Sequence, residues 1–158
     1  MNCELERYRA EQAHAYLERI RRMGSECEAL RAQIDDAYYR AEGVGAIDYS
    51  AINVSSSPSP DHIPNAVAML QEWVRDYVSE LAAYEGERHE AALSLSLMED
   101  PTEASALRFR YLLGWRWGRV CSEMCYSYDS MMKIRRRALA HYWEVMPRAE
   151  RDPIPRAI

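Results

Sequence analysis

The apolar positions of this chain recur at steps of three and four over long stretches, the pattern of helices that bury one stripe. Between Glu4 and Ala41 there is no proline, and Ile20, Met23, Cys27, Leu30, Ile34 and Ala37 fall on one line of a helix. Gly24 interrupts that line at a cost of ~1 kcal/mol relative to Ala, and the spacing on either side carries the helix through it. Gly43 and Gly45 are expected to end it. A stronger stripe follows at Ile63, Val67, Leu70, Val74, Tyr77, Leu81, Tyr84, Ala91, Leu95 and Met98, with one polar break at Arg88. Its alternating steps are those of a coiled-coil seam. Asp61 is placed to cap this second helix, with Pro64 in its first turn, and Asp100-Pro101 to stop it.

A stripe this narrow needs a partner. At ~1.5 Å per residue both helices would reach a little over ~50 Å, and equal lengths predict an antiparallel, coiled-coil-like hairpin over residues 1–100. Two copies could then form a four-helix bundle, so a homodimer through the hairpin is expected. Residues 43–61 make its linker, sticky at Ile47, Tyr49, Ile52 and Val54 and Ser/Pro-rich from Ser55 to Pro60. It is longer than the roughly 2–8 residues usual between helices of a bundle.

After residue 100 the periodic segments shorten. Thr102 is read as the cap of a first short helix, with Leu107, Tyr111 and Leu112 inward and Gly114 closing it. A second runs from about Trp117 to Met124, with Val120, Cys121 and Met124 as its inner face. The chain breaks at Cys125-Tyr126, and Ser127 caps a third helix with Met131, Ile134, Ala138, Leu139 and Tyr142 on one side. Residues 148–158 read as a tail. The predicted fold class is therefore all-α: a long helical hairpin followed by a C-terminal three-helix helix-turn-helix domain over 101–147.

Charge sharpens that division. The net charge of −5 splits into −10 over residues 1–100, where nine Arg face nineteen acids, and +5 over 101–158, where eleven basic residues face six acids. Such asymmetry points to a nucleic-acid-binding end and an end with another task. There is no apolar run of roughly 18 residues to cross a membrane and no signal-peptide pattern at the N-terminus, so a cytoplasmic protein is expected. The four cysteines suit a reducing compartment. Cys121 and Cys125 lack the second ligand pair of a zinc site, only His141 lying near, so they are read as buried thiols behaving as small apolar residues. His14, His62, His89 and His141 are scattered, and neither a phosphate loop nor a nucleophile motif is present. No enzymatic activity and no cofactor are expected.

The run Arg119-Val120-Cys121-Ser122-Glu123-Met124-Cys125-Tyr126-Ser127, with Ser130-Met131 and Arg137-Ala138-Leu139, resembles region 4 of sigma-70-type factors. More narrowly, it is similar to the sigma-like helix-turn-helix of phage-encoded late transcription regulators of the ArpU type, in which an acidic helical part precedes the module. Two positions depart from that pattern: Arg116 stands where a Ser or Thr caps the second helix, and Cys125 where the turn carries Gly. The resemblance implies a phage or prophage regulator that binds double-stranded promoter DNA, with RNA polymerase as a further partner.

The residues expected at the DNA follow from helix geometry. With Met131, Ile134, Ala138 and Tyr142 inward, the third helix turns Asp129, Lys133, Arg136 and Arg137 outward, with Met132 at the edge and Ser127 and Tyr128 at its start. Its first turns would reach base edges, Lys133 donating to guanine and Asp129 accepting from cytosine. Arg136, Arg137, Arg116 and Arg119 are placed for phosphate. The matching position in sigma factors implies base reading for Lys133, the only lysine of the chain. Trp115 and Trp117 are read as packing residues. A competing expectation is a phage assembly protein, such as the small subunit of a DNA-packaging terminase, that uses the coiled coil to oligomerise.

Overall fold

The computed structural model describes residues 3–45 and 62–154, with no strand among them. Among the described residues there are five α-helices: α1 (Cys3–Gly45), α2 (His62–Leu95), α3 (Pro101–Leu107), α4 (Trp117–Met124) and α5 (Tyr128–Val145). The all-α class stands. The linker and the Asp61 cap lie outside the described residues. Among those described, no helix is long and apolar enough to cross a membrane.

Two boundaries differ from expectation. Helix α1 continues through Gly43 to Gly45. Helix α2 stops at Leu95, short of Asp100, because the chain tightens first: Leu97 N–H donates to Ser94 O at 3.0 Å and Met98 N–H to Leu95 O at 3.3 Å. Ser94 and Ser96 assist the exit by bonding back to the carbonyls of Glu90 and Ala92. The early stop frees Asp100 for the next helix. Its backbone is extended (φ −91°, ψ 110°), as a residue before proline must be, and its carboxylate accepts from Thr102 N–H at 2.8 Å and Glu103 N–H at 3.3 Å. Asp100, not Thr102, is therefore the cap of α3, with Pro101 in the first helical position.

The chain forms two compact units, one of Met1–Ser25 with Ala83–Ile158 and one of Glu26–Ala82. In the first, Ala13, Tyr16, Leu17 and Ile20 of α1 share a core with Ala91 and Leu95 of α2, Leu107, Tyr111 and Leu112, and Ala138, Leu139, Tyr142 and Met146. Gly24 sits at a close approach in this unit, since a Cβ there would lie 2.8 Å from the Tyr84 hydroxyl. In the second unit Cys27 and Ile34 are buried and Leu30, Leu70, Val74, Tyr77 and Leu81 half-buried, as the two stripes require; Val67 departs from its stripe and is exposed.

After α3 the helix widens into a π turn over Arg108–Leu112, closed by Leu113 N–H to Arg108 O at 3.0 Å. The wider turn keeps Tyr111 and Leu112 buried, and Gly114 ends it at φ +70°. At the other end, residues 148–154 are no loose tail. Arg151 donates to the carbonyls of Glu144 and Met146, Glu150 pairs with Arg19 at 3.0 Å, and Tyr8 donates to Pro153 O at 3.1 Å. Trp143 Nε1 donates to Gln12 at 2.8 Å. The expectation of a tail overlooked that polar side chains of α1 supply its bonds.

Candidate nucleic-acid interface

Helices α4 and α5 are joined by a turn that their ends define chemically. At the end of α4, Cys125 is left-handed (φ 58°, ψ 39°), its N–H donating to Ser122 O at 3.4 Å while Tyr126 N–H reaches Cys121 O at 3.0 Å. This pair of bonds is the Schellman closure, which satisfies carbonyls that the helix leaves orphaned. Cys125 holds the position that glycine normally fills, at the cost of backbone strain. Ser127 then caps α5, its Oγ accepting from Ser130 N–H at 3.2 Å. Val120 and Cys121 of α4 pack with Met131 and Ile134 of α5 and Ala106 of α3.

The start of α4 is secured differently. Arg116 is extended and its side chain does not cap the helix, in line with the missing Ser or Thr. Instead, Arg119 lies 3.8 Å above the Trp115 ring, which stacks on Phe109 at 4.6 Å and 7°. The first turn of α4 is thus tied to the π turn by a cation and two aromatic rings. Arg116 and Arg119 both remain exposed.

Along α5 the structure brings Asp129, Lys133 and Arg136 to one exposed edge, within about 60° of each other at 100° per residue. Tyr128, at the start of the helix, is exposed as well. Met132 is half-buried against the α4–α5 core and belongs to the edge only in part. Arg137 is exposed as expected, and its guanidinium also pairs with the Glu103 carboxylate, with Asp100 a further 3.7 Å contact. The second Glu103 oxygen lies 2.7 Å from His141 Nδ1. A carboxylate with no solvent exposure needs such partners, and α5 offers them one turn apart. Arg137 therefore braces α5 against α3.

The electrostatics follow from these contacts. The Glu103 N–H, then the Thr102 N–H and the Arg137 charge, hold the Asp100 carboxyl below the usual range. The bond to Glu103 holds the Arg137 guanidinium above its own. Cys121 is a buried thiol as expected, whereas Cys125, at the left-handed end of α4, is exposed. Among the described residues, no group of three His, Cys, Asp or Glu is arranged to hold a metal ion.

Sequence reasoning missed Glu103, Tyr126 and Arg135. Glu103 carried only the signal of a first-turn acid, since its partners lie 34 and 38 positions away. Tyr126, in the turn, is exposed, as is Tyr128. Arg135 was passed over between the outward cations. No protein-family model, curated protein or solved structure matches this chain.

Proposed function

We propose that the chain is a DNA-binding transcription regulator of phage or prophage type, with α4 and α5 forming a helix-turn-helix and α5 reading promoter DNA. The observation that carries this reading is the α5 edge. A helix with a Ser cap, joined to its neighbour by a tight turn, exposes Tyr128, Asp129, Lys133 and Arg136 together, flanked by Arg116 and Arg119 on α4. Such a helix fits the major groove, its first turns facing base edges and its later cations facing phosphate. Arg137, exposed on the same helix, also fixes α5 through its pair with Glu103. The remainder of α1 and α2, which carries the acidic balance of the chain, is the part for protein partners: a second copy through an antiparallel hairpin, and RNA polymerase.

The test is a gel-shift titration at low salt of the full chain against the Lys133→Ala/Arg136→Ala variant, on duplex from the chain's own promoter region. The variant is expected to lose roughly tenfold or more in affinity, the worth of one or two good contacts. Equal affinity in the two proteins would remove α5 from the interface.

A further inference from the structure

Behind the α5 edge lies a group of cations that the proposed DNA-reading surface does not use. Arg110 of the π turn and Arg135 of α5 both address the Trp117 ring, at 5.8 and 5.6 Å from its centroid. The Nε atoms of both guanidiniums are buried and meet no acceptor. Arg110 has one bond from Nη1, to Trp115 O at 3.0 Å, and Arg135 donates to the Tyr111 hydroxyl. His14 of α1 joins them through Tyr111, whose hydroxyl lies 2.8 Å from its Nδ1. Burial and the charges of Arg135, Arg110 and Arg22 hold the His14 pKa down, against the opposing charge of Glu18.

What this group lacks is an acid. Neither Arg110 nor Arg135 forms an ion pair among the described residues, although such pairs are numerous elsewhere. The carboxylate on which the Arg110 charge bears is Glu18, and it is occupied, 2.6 Å from Arg21 and 3.9 Å from Arg22. Three guanidiniums, those of Arg21, Arg22 and Arg110, thus bear on one carboxylate in a protein of net charge −5. A guanidinium cannot shed its proton to relieve this, and charge withdrawn from water is ordinarily paired. The Trp117 face offsets part of the cost but offers no acceptor to the buried N–H groups.

We propose that His14, Arg110 and Arg135 form an anion site that takes a phosphoryl group. Two forked donors and an imidazole suit a ligand with several oxygens. The phosphoryl can come from the DNA backbone or from a free phosphorylated compound.

The experiment uses the full chain and inorganic phosphate, with thermal unfolding followed in sodium phosphate and in sodium chloride at matched ionic strength and pH. The wild-type chain should show a saturable, phosphate-specific rise in Tm. Arg135→Gln and Arg110→Gln should each abolish that rise, whatever their Tm in chloride. A parallel arm measures the salt dependence of duplex DNA binding for wild type and Arg135→Gln. If the slope falls by about one, the phosphoryl is a backbone phosphate; an unchanged slope with the phosphate rise abolished assigns a free compound. The absence of a phosphate-specific rise in the wild type, or its persistence in either variant, would overturn the proposal. The phosphate arm needs no DNA binding, so its outcome stands apart from that of the regulator reading.

Discussion

His141 on α5 and Glu103 on α3 meet at 2.7 Å, one partner half in solvent and the other wholly out of it. With Arg137 on the other oxygen, the buried carboxylate ties two helices together at a single point. Removing the outer cation strands the inner anion, the costly way to break such a pair. Arg137→Ala is expected to lower stability markedly in urea unfolding, while the neighbouring Arg136→Ala changes it by no more than about 0.5 kcal/mol. Glu103→Gln should recover part of the loss in the Arg137→Ala background. Additive effects would show that the two side chains do not depend on each other.

Two glycines of the long helices should respond in opposite ways to alanine. At Gly86 a Cβ would meet nothing within 4 Å, so Gly86→Ala gains helix propensity and stabilises by about 1 kcal/mol. At Gly24 the same gain meets the Tyr84 ring at 2.8 to 3.1 Å, which must move. Gly24→Ala is expected to be neutral or destabilising, and to become stabilising in a Tyr84→Ala background. Denaturant midpoints of the four proteins settle this.

The left-handed turn residue gives a third test. Cys125 adopts φ 58° with a side chain that disfavours it, and its thiol is exposed. Cys125→Gly should stabilise the chain by about 1 kcal/mol, and the β-branched Cys125→Val should destabilise it. A loss of stability in the glycine variant would mean that the thiol contributes more than the strain costs.

Acid should weaken the first unit through His14. Burial, and next the Arg135 charge, depress its pKa in the folded chain. The folded state therefore favours the neutral ring, which can accept from the Tyr111 hydroxyl; a protonated ring cannot. This contribution is complete above the unfolded value of about 6.5 and is lost as pH falls from there through the lower folded value. The Tm of His14→Gln should vary less than that of the wild type across this window. Parallel curves would exclude His14 as the source.

Much of the α4–α5 pair was legible because its signals are local. Ser127 caps, Val120 and Cys121 face in, Met131, Ile134 and Ala138 repeat at helical spacing, and each can be read within a few residues. The long helices were legible for the same reason, from their stripes. What escaped depends on competition or distance. Asp100 could end α2 or begin α3, and only the Ser94–Met98 turns decide for α3. The π turn leaves no periodic mark in five residues. The pairing of Glu103 with α5, and the bonds that strap residues 148–154 to α1, join positions far apart in the chain. Helix periodicity turns Arg137 outward, where it is exposed, but spacing carries no sign of the Glu103 carboxylate beside it.

The regulator proposal depends above all on whether the chain binds duplex DNA through its exposed cations. The decisive measurement is the affinity of the full chain for a duplex over a series of salt concentrations. Arg116, Arg119, Lys133 and Arg136 stand exposed at the proposed interface. At about −0.9 per neutralised phosphate, they predict a linear fall of log K with log salt of slope about −2 to −4, made shallower by Lys133→Ala/Arg136→Ala. Binding that stays undetectable at low salt, or that does not respond to salt, would contradict it.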